Sequence, residues 1–397
     1  MIRCREGGAL RKDAPIGSAP VVAIVTALLV ATLSYATPAG VLAQGGVPTT
    51  APAPTVRDST APDSVAPDSA ARDSARAAAA ARFWGDTAPI TVTLTANLGR
   101  FRRDRDDEAP WRAAVLSYVD DGGDTVRVPI RARTRGIWRL NNCDFPPLRL
   151  NFWRDSARGT AFEGADEPKM VNYCRNTDTY EEYVLQEYQL YRVYNLLTPY
   201  SHRARLMRVT YADSGSDRAR ATRWAFLVEE PGELADRVGA TRTEARGAGP
   251  QDLDAHEHVL FALFQYMIGN TDWSIAALHN AELFFRDTIY LPVAYDFDYS
   301  GAVNTSYAVP PPQLHLPDVR TRRYRGYCAG AERLASVVAL FNERKEAIYA
   351  LYSDSLGRLL RPRTVRSTLE YFDDFYETIN DPGALRREIE EPCLGKQ

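Results

Sequence analysis

Residues 253–298 read LDAHEHVLFALFQYMIGNTDWSIAALHNAELFFRDTIYLPVAYDFD, and the periodicities in this stretch decide how the chain is expected to fold. Val259, Leu260, Leu263, Phe264 and Met267 recur at helical spacing, which predicts a buried helix over about Leu253 to Ile268. Gly269 suits its end, because a left-handed residue there costs glycine little. Ala281 to Phe285 and Ile289 to Tyr295 read as strands flanking a turn at Arg286-Asp287-Thr288. Symmetric pairing about that turn sets Asn280 opposite Tyr295 and Asp296. Asp272 then lies in a loop just past a rigid helix, where a reactive side chain is both supported and accessible.

The chemistry of that order is specific. Asp and Asn taken singly are ordinary turn formers. Taken together, helix, acid, amide, hairpin and acid match what phosphoryl transfer needs: one carboxylate to orient an attacking hydroxyl, and an amide oxygen with a second carboxylate to hold a divalent cation against phosphates. Asp272, His279, Asp296 and Asp298 also offer a ligand set for a metal-dependent hydrolase, without a recognisable spacing.

On Gly269-Asn270-Thr271-Asp272 and the later Tyr295-Asp296, the segment from about Phe261 to Gly301 resembles the core of atypical kinases, chiefly the CotH spore-coat group and more distantly the HipA-like kinases. The resemblance implies Asp272 as catalytic base, Asn280 and Asp296 as metal ligands, and ATP or another nucleoside triphosphate with Mg2+ as cofactors. It also implies an α+β, bilobal, atypical protein-kinase-like fold, with a β-rich N-terminal lobe at about 83–230 and a mainly helical C-terminal lobe at about 231–397. Two departures stand out. Asp272 and Asn280 are eight apart, against five in the ordinary kinase loop, and Asp298 replaces the glycine of D-F-G.

Upstream, such an enzyme needs a cation on the phosphates. Lys169 opens a short apolar run, and Glu187 on the following helix has Tyr183, Val184, Leu190 and Tyr191 around it, so its carboxylate needs a partner. Lys169 paired with Glu187 is the preferred assignment, with Arg149, Arg203 or Arg205 as the alternative partner. Arg149 is also the rival phosphate cation. Glu229, in the strand Ala225 to Glu230 that ends in acids, stands where the resemblance implies that a nucleotide base would be received. No glycine-rich phosphate loop is visible, since Gly122-Gly123 reads as a hairpin turn.

The chain has 397 residues and a net charge of −3, so it is not built to attract nucleic acid. Residues 1–43 read as a signal peptide, with an uncleaved anchor as the alternative. Residues 44–82 repeat Ala/Pro/Asp/Ser units and read as a disordered tether, leaving 83–397 as the folded part. No membrane-integral domain is expected beyond the signal sequence. Cys143, Cys174, Cys328 and Cys393 remain after the leader, an even number that suggests disulfides, Cys143 with Cys174 and Cys328 with Cys393 being favoured over the other connectivities and over free thiols.

Arg320, Arg322, Arg323 and Arg325 read first as a solvated loop and second as a docking site for an acidic partner. Arg131, Arg133 and Arg135 share one strand face, either to bind anions or to pair with neighbouring acids. Two functions follow. One is an exported kinase, secreted or periplasmic and up to the cell surface, that phosphorylates a protein or glycan acceptor in the envelope. The other is a catalytically inactive kinase-like binding or structural protein.

Overall fold

The computed structural model describes residues 69–397 except 107, 217, 218, 396 and 397. The expected signal peptide and the tether up to residue 68 lie outside the described residues. Seven strands, β1 (Ile90–Ala96), β2 (Arg112–Val119), β3 (Thr125–Thr134), β4 (Leu148–Phe152), β5 (Lys169–Val171), β6 (Ala204–Asp213) and β7 (Ala219–Val228), close into a barrel in the order β1-β2-β3-β4-β5-β7-β6. Alternation along each strand sends Leu94, Leu116, Ile130, Leu150 and Met207 inward, where they are fully buried.

Closure comes from β1 and β6, which pair parallel from Ile90 opposite Met207 to Ala96 opposite Asp213. This corrects the expected bilobal kinase-like fold. The β-rich half is a sealed barrel, and the described residues form one compact unit with no division near residue 230. The physical reason is that a parallel pairing of two distant segments leaves no trace in local periodicity.

Helix α1 (Ser69–Gly85) replaces the last part of the expected tether, because Phe83 and Trp84 bury themselves against the barrel core. The short helices α2 (Leu98–Arg103), α3 (Trp138–Asn142) and α4 (Arg154–Ala157) fill connections between strands. The long α5 (Asp178–Leu197), capped by Thr177, crosses from β5 to β6. After β7 come α6 (Pro231–Val238), β8 (Thr241–Thr243), α7 (Glu257–Ile268), the hairpin β9 (Ala281–Arg286) with β10 (Ile289–Ala294), and then α8 (Ala331–Ala350), α9 (Pro362–Asn380) and α10 (Pro382–Leu385). Helix α7 begins later than its periodicity suggests, because the Asp254 carboxylate accepts from the backbone N–H of His256 and Glu257 and ends the preceding turn.

Val171, Leu206, Phe226 and Val228 point out of the barrel and join Tyr194, Leu263, Phe297, Phe341 and Phe372 in a second core. The helices therefore pack directly on the barrel wall. Disulfides join Cys143 to Cys174 and Cys328 to Cys393, the expected pairing, and place the folded chain in an oxidising compartment. Among the described residues no helix is long and apolar enough to cross a membrane.

Candidate active site

Gly269 ends α7 in the left-handed conformation (φ 64°), as its position suggested. The loop that follows is held from several sides. Asn270 Oδ1 accepts from the Asp272 N–H at 2.9 Å, and Arg325 donates to the carbonyls of Thr271 and Trp273, on either side of Asp272, at 2.5 and 2.6 Å. The carboxylate itself is fixed by His279 Nε2, 2.9 Å from Oδ1, and by Asn280 Nδ2, which donates to Oδ2 at 3.1 Å and to the Asp272 carbonyl at 2.7 Å.

The hairpin pairs in the expected register: Ala281 faces Ala294, and the Tyr295 N–H reaches the Asn280 carbonyl at 3.3 Å. Asn280 (φ 49°) and Asp296 (φ 62°) both occupy left-handed backbone, which a non-glycine residue adopts rarely and mostly where surrounding structure compels it. For Asp296 part of that compulsion comes from α5, whose buried Tyr191 hydroxyl accepts the Asp296 N–H at 3.1 Å. Asn280 Oδ1 and the Asp296 carboxylate have no hydrogen-bond or ion-pair partner among the described residues.

Asp272, Asn280, Asp296 and Asp298 line one cleft of about 640 Å³. The opposite wall is the outer face of the barrel. Since Val128, Ile130 and Ala132 point inward, Arg131, Arg133 and Arg135 point out. The strand register then sets Arg133 beside Arg149, and Arg149 beside Lys169. Like charges directly opposite one another across a sheet are destabilising. Glu167 and Glu230 offset Arg149 at 3.3 and 3.7 Å, and Glu282 offsets Lys169 at 3.7 Å. Arg133 and Arg135 have no such partner among the described residues, and their buried Nε atoms lack acceptors. A row of cations kept at that cost is a wall suited to an anion.

Burial depresses the Lys169 ammonium, while Glu282 supports its charge. In return, burial alone would raise Glu282, but Lys169, His202 and Arg242 together hold it at about 2. On the acid wall, burial and the charge of Asp296 push Asp298 up to about 6, although Arg139 and the Tyr307 hydroxyl, donating at 2.8 Å, favour its carboxylate.

Some expected partnerships are corrected. Lys169 pairs with Glu282, not with Glu187, and Tyr295 lies 4.5 Å beneath its ammonium. Glu187 faces Arg139 at 3.9 Å, so neither Lys169 nor the alternative arginines hold it; burial and the charges of Asp298 and Asp296 push its carboxyl well up. Glu229 is fully buried and bound by both Arg203 and Arg237, outside the cleft.

The arginines of 320–325 are not a solvated run: Arg323 alone is exposed, and Arg320, Arg322 and Arg325 are half-buried. Arg322 donates to the last carbonyls of α7, Tyr266 and Met267, and Arg320 stacks on Tyr371. Helix-end carbonyls and aromatic faces are satisfying partners for a guanidinium.

Sequence reasoning missed Arg139, Glu282 and the aromatic rim made by Trp138, 38% exposed and stacked on Tyr307. The alternating arginines of β3 were the available signal for the cation wall; nothing local pointed to Glu282, which reads as a strand residue. Among the described residues no group of three or more His, Cys, Asp or Glu is placed to hold a metal, which leaves the hydrolase ligand set without support. No family model matches the chain, and no curated protein matches it either.

Proposed function

We propose that this cleft transfers a phosphoryl group from a nucleoside triphosphate to a hydroxyl of a protein or glycan in the cell envelope, with Mg2+, in an exported protein. The observation that carries the reading is the opposition, across one cleft, of a cation row and a pair of partnerless oxygen ligands. The order of Asp272, Asn280 and Asp296, similar to that of CotH-type kinases, supports the chemistry, whereas a kinase fold forms no part of it.

The residues fit the cofactors. Asn280 Oδ1 and the Asp296 carboxylate are two free oxygen donors, and magnesium typically takes only one or two protein oxygens, leaving its remaining positions to water and phosphate. Bound there, the ion supplies neutralisation of phosphate charge. Arg133, Arg149 and Lys169 hold the phosphates from the opposite wall, with Glu282 fixing where Lys169 points. Asp272, its two oxygens oriented by His279 and Asn280, keeps lone pairs to accept the proton of the attacking hydroxyl. The oxidising compartment required by the disulfides agrees with export to the periplasm or beyond.

Thermal denaturation tests the reading. ATP with magnesium at about 100 times Kd should stabilise the wild type by about 2.7 kcal/mol, and Asp296→Ala should lose most of that shift while melting normally without ligand. An equal absence of shift in both proteins would favour the inactive scaffold.

A further inference from the structure

The turn from β3 into α3 carries apolar side chains into solvent at the mouth of the cleft. Ile137 is 82% exposed and Trp138 38%, and both line the cleft together with Tyr299. Single exposed apolar side chains are ordinary, whereas neighbours gathered at one cleft mark a binding surface. Trp138 is held from behind: Tyr307 stacks on it with ring centres 4.8 Å apart, and the Tyr307 hydroxyl donates to Asp298 at 2.8 Å. Tyr299 meets the indole edge-on, 6.0 Å away. Because Trp138 lines the cleft and Tyr307 does not, the cleft meets indole surface that Tyr307 leaves uncovered. This fixed aromatic shelf stands at the acid end of the cleft. Tyr299 directly follows Asp298 in the chain, and burial, then the charges of Asp298, Asp272 and Asp296, push its phenol up to about 12.

Position decides what the shelf takes. In phosphoryl transfer a ribose and two phosphates separate the nucleobase from the reacting phosphorus, whereas the attacking hydroxyl meets it directly. A flat group beside Asp272 therefore belongs to the acceptor. The surroundings do not suit an extended peptide, which commonly binds by adding to a strand edge. The barrel is closed, and the outer edge of β10 is met at Tyr290 by Leu253 and by the Asp254 N–H. They suit a sugar: a pyranose with equatorial hydroxyls has flat faces of C–H bonds that stack on aromatic rings, and it turns its hydroxyls sideways. From the phosphoryl-transfer reading, on which this rests, we infer that the acceptor is a glycan of such pyranoses, one ring lying on Trp138 with a hydroxyl at Asp272. That oxygen forms its bond to the terminal phosphorus as the bridging P–O bond breaks. The electron pair leaves with the nucleoside diphosphate, and the hydroxyl proton passes to Asp272.

The test uses cellohexaose and chitohexaose as glycan probes, with dephosphorylated casein as the protein counterpart. Calorimetric titration without nucleotide should show at least one hexasaccharide binding. Trp138→Ala should weaken that binding about tenfold, and Trp138→Phe, which keeps an aromatic face, should stay within about threefold of wild type. Both variants should melt normally and keep the ATP-magnesium thermal shift. With ATP and magnesium, phosphate should appear on the hexasaccharide and not on casein. Failure of both sugars to bind, or binding untouched by Trp138→Ala, sinks this inference and, with a normal nucleotide shift, spares the phosphoryl-transfer reading. A hexasaccharide that binds through Trp138 in a protein with no nucleotide shift sinks that reading and the acceptor role with it. Loss of the nucleotide shift in Trp138→Ala overturns the proposal and reassigns the shelf to the nucleobase. Phosphate on casein alone, or none on a hexasaccharide that binds, overturns the acceptor role.

Discussion

Under the proposed phosphoryl transfer, Arg325 would govern the placement of Asp272 from outside the cleft. Its guanidinium bridges the carbonyls of Thr271 and Trp273 and lies 5.3 Å from the Trp273 ring, so the loop carrying Asp272 is held at both shoulders. Arg325→Met keeps the length of the side chain and removes the donors. Small displacements of a catalytic group are costly in rate, so the variant should lower kcat by about 100-fold or less while leaving KM for nucleotide within a factor of about two. A matched rise in KM with no fall in kcat would show that Arg325 acts on binding, against this assignment. At this scale much was legible: Asp272, Asn280 and Asp296 do meet at one cleft with Lys169 and Arg149. The partners of charged side chains were not, because Glu282 and Glu187 choose among cations brought by other strands and helices, and no spacing along the chain encodes that choice.

Helix α1 illustrates the next scale. Its Trp84 indole donates to the Glu233 carboxylate on α6 at 3.0 Å, joining the helix to the element that follows the barrel. Burial, aided by the nearby Glu229 charge, pushes Glu233 up to about 8. The sign follows from linkage: the folded state binds this proton more tightly than the unfolded chain, so the carboxyl is harmless below its unfolded value. Its ionisation then destabilises the fold progressively as pH rises through the window between 4.5 and about 8. Glu257, pushed up to about 7 by burial, acts in the same direction. Glu233 alone should lower stability by on the order of 4 kcal/mol across that window. Glu233→Gln, which keeps an acceptor for Trp84, should flatten most of the decline in melting temperature. A variant curve parallel to wild type would show that Glu233 is not the titrating group. Composition reads this helix as tether, since alanine, arginine and serine dominate it; only the two buried aromatics at its end reveal that it docks.

For the whole molecule, the two disulfides lie at different places and do different work. Cys143–Cys174 ties the segment after α3 to that after β5, and Cys328–Cys393 holds the C-terminal residues, where Leu394 exchanges backbone hydrogen bonds with Gly326 and Cys328, beside Arg325. The second closes a loop of 65 residues, for which chain entropy predicts about 4 kcal/mol of stabilisation. Replacing Cys328 and Cys393 together by serine should therefore lower the unfolding free energy by roughly 2 to 4 kcal/mol and reduce the denaturant midpoint, with a steeper slope because the unfolded chain without the cross-link exposes more surface. An unchanged midpoint would mean that backbone pairing alone secures the tail.

What the amino-acid order settled by itself were the features written within a few neighbouring residues: the buried helix and its glycine stop, the hairpin register and the succession of acid, amide and acid. Each depends on periodicity, turn chemistry or short separation, which a linear reading contains. Barrel closure, the Arg133-Arg149-Lys169 row and the exchange of carboxylate partners were decided only when distant strands met. Those contacts arise from non-local pairing that a local pattern tolerates in many versions, and the tertiary structure selects one.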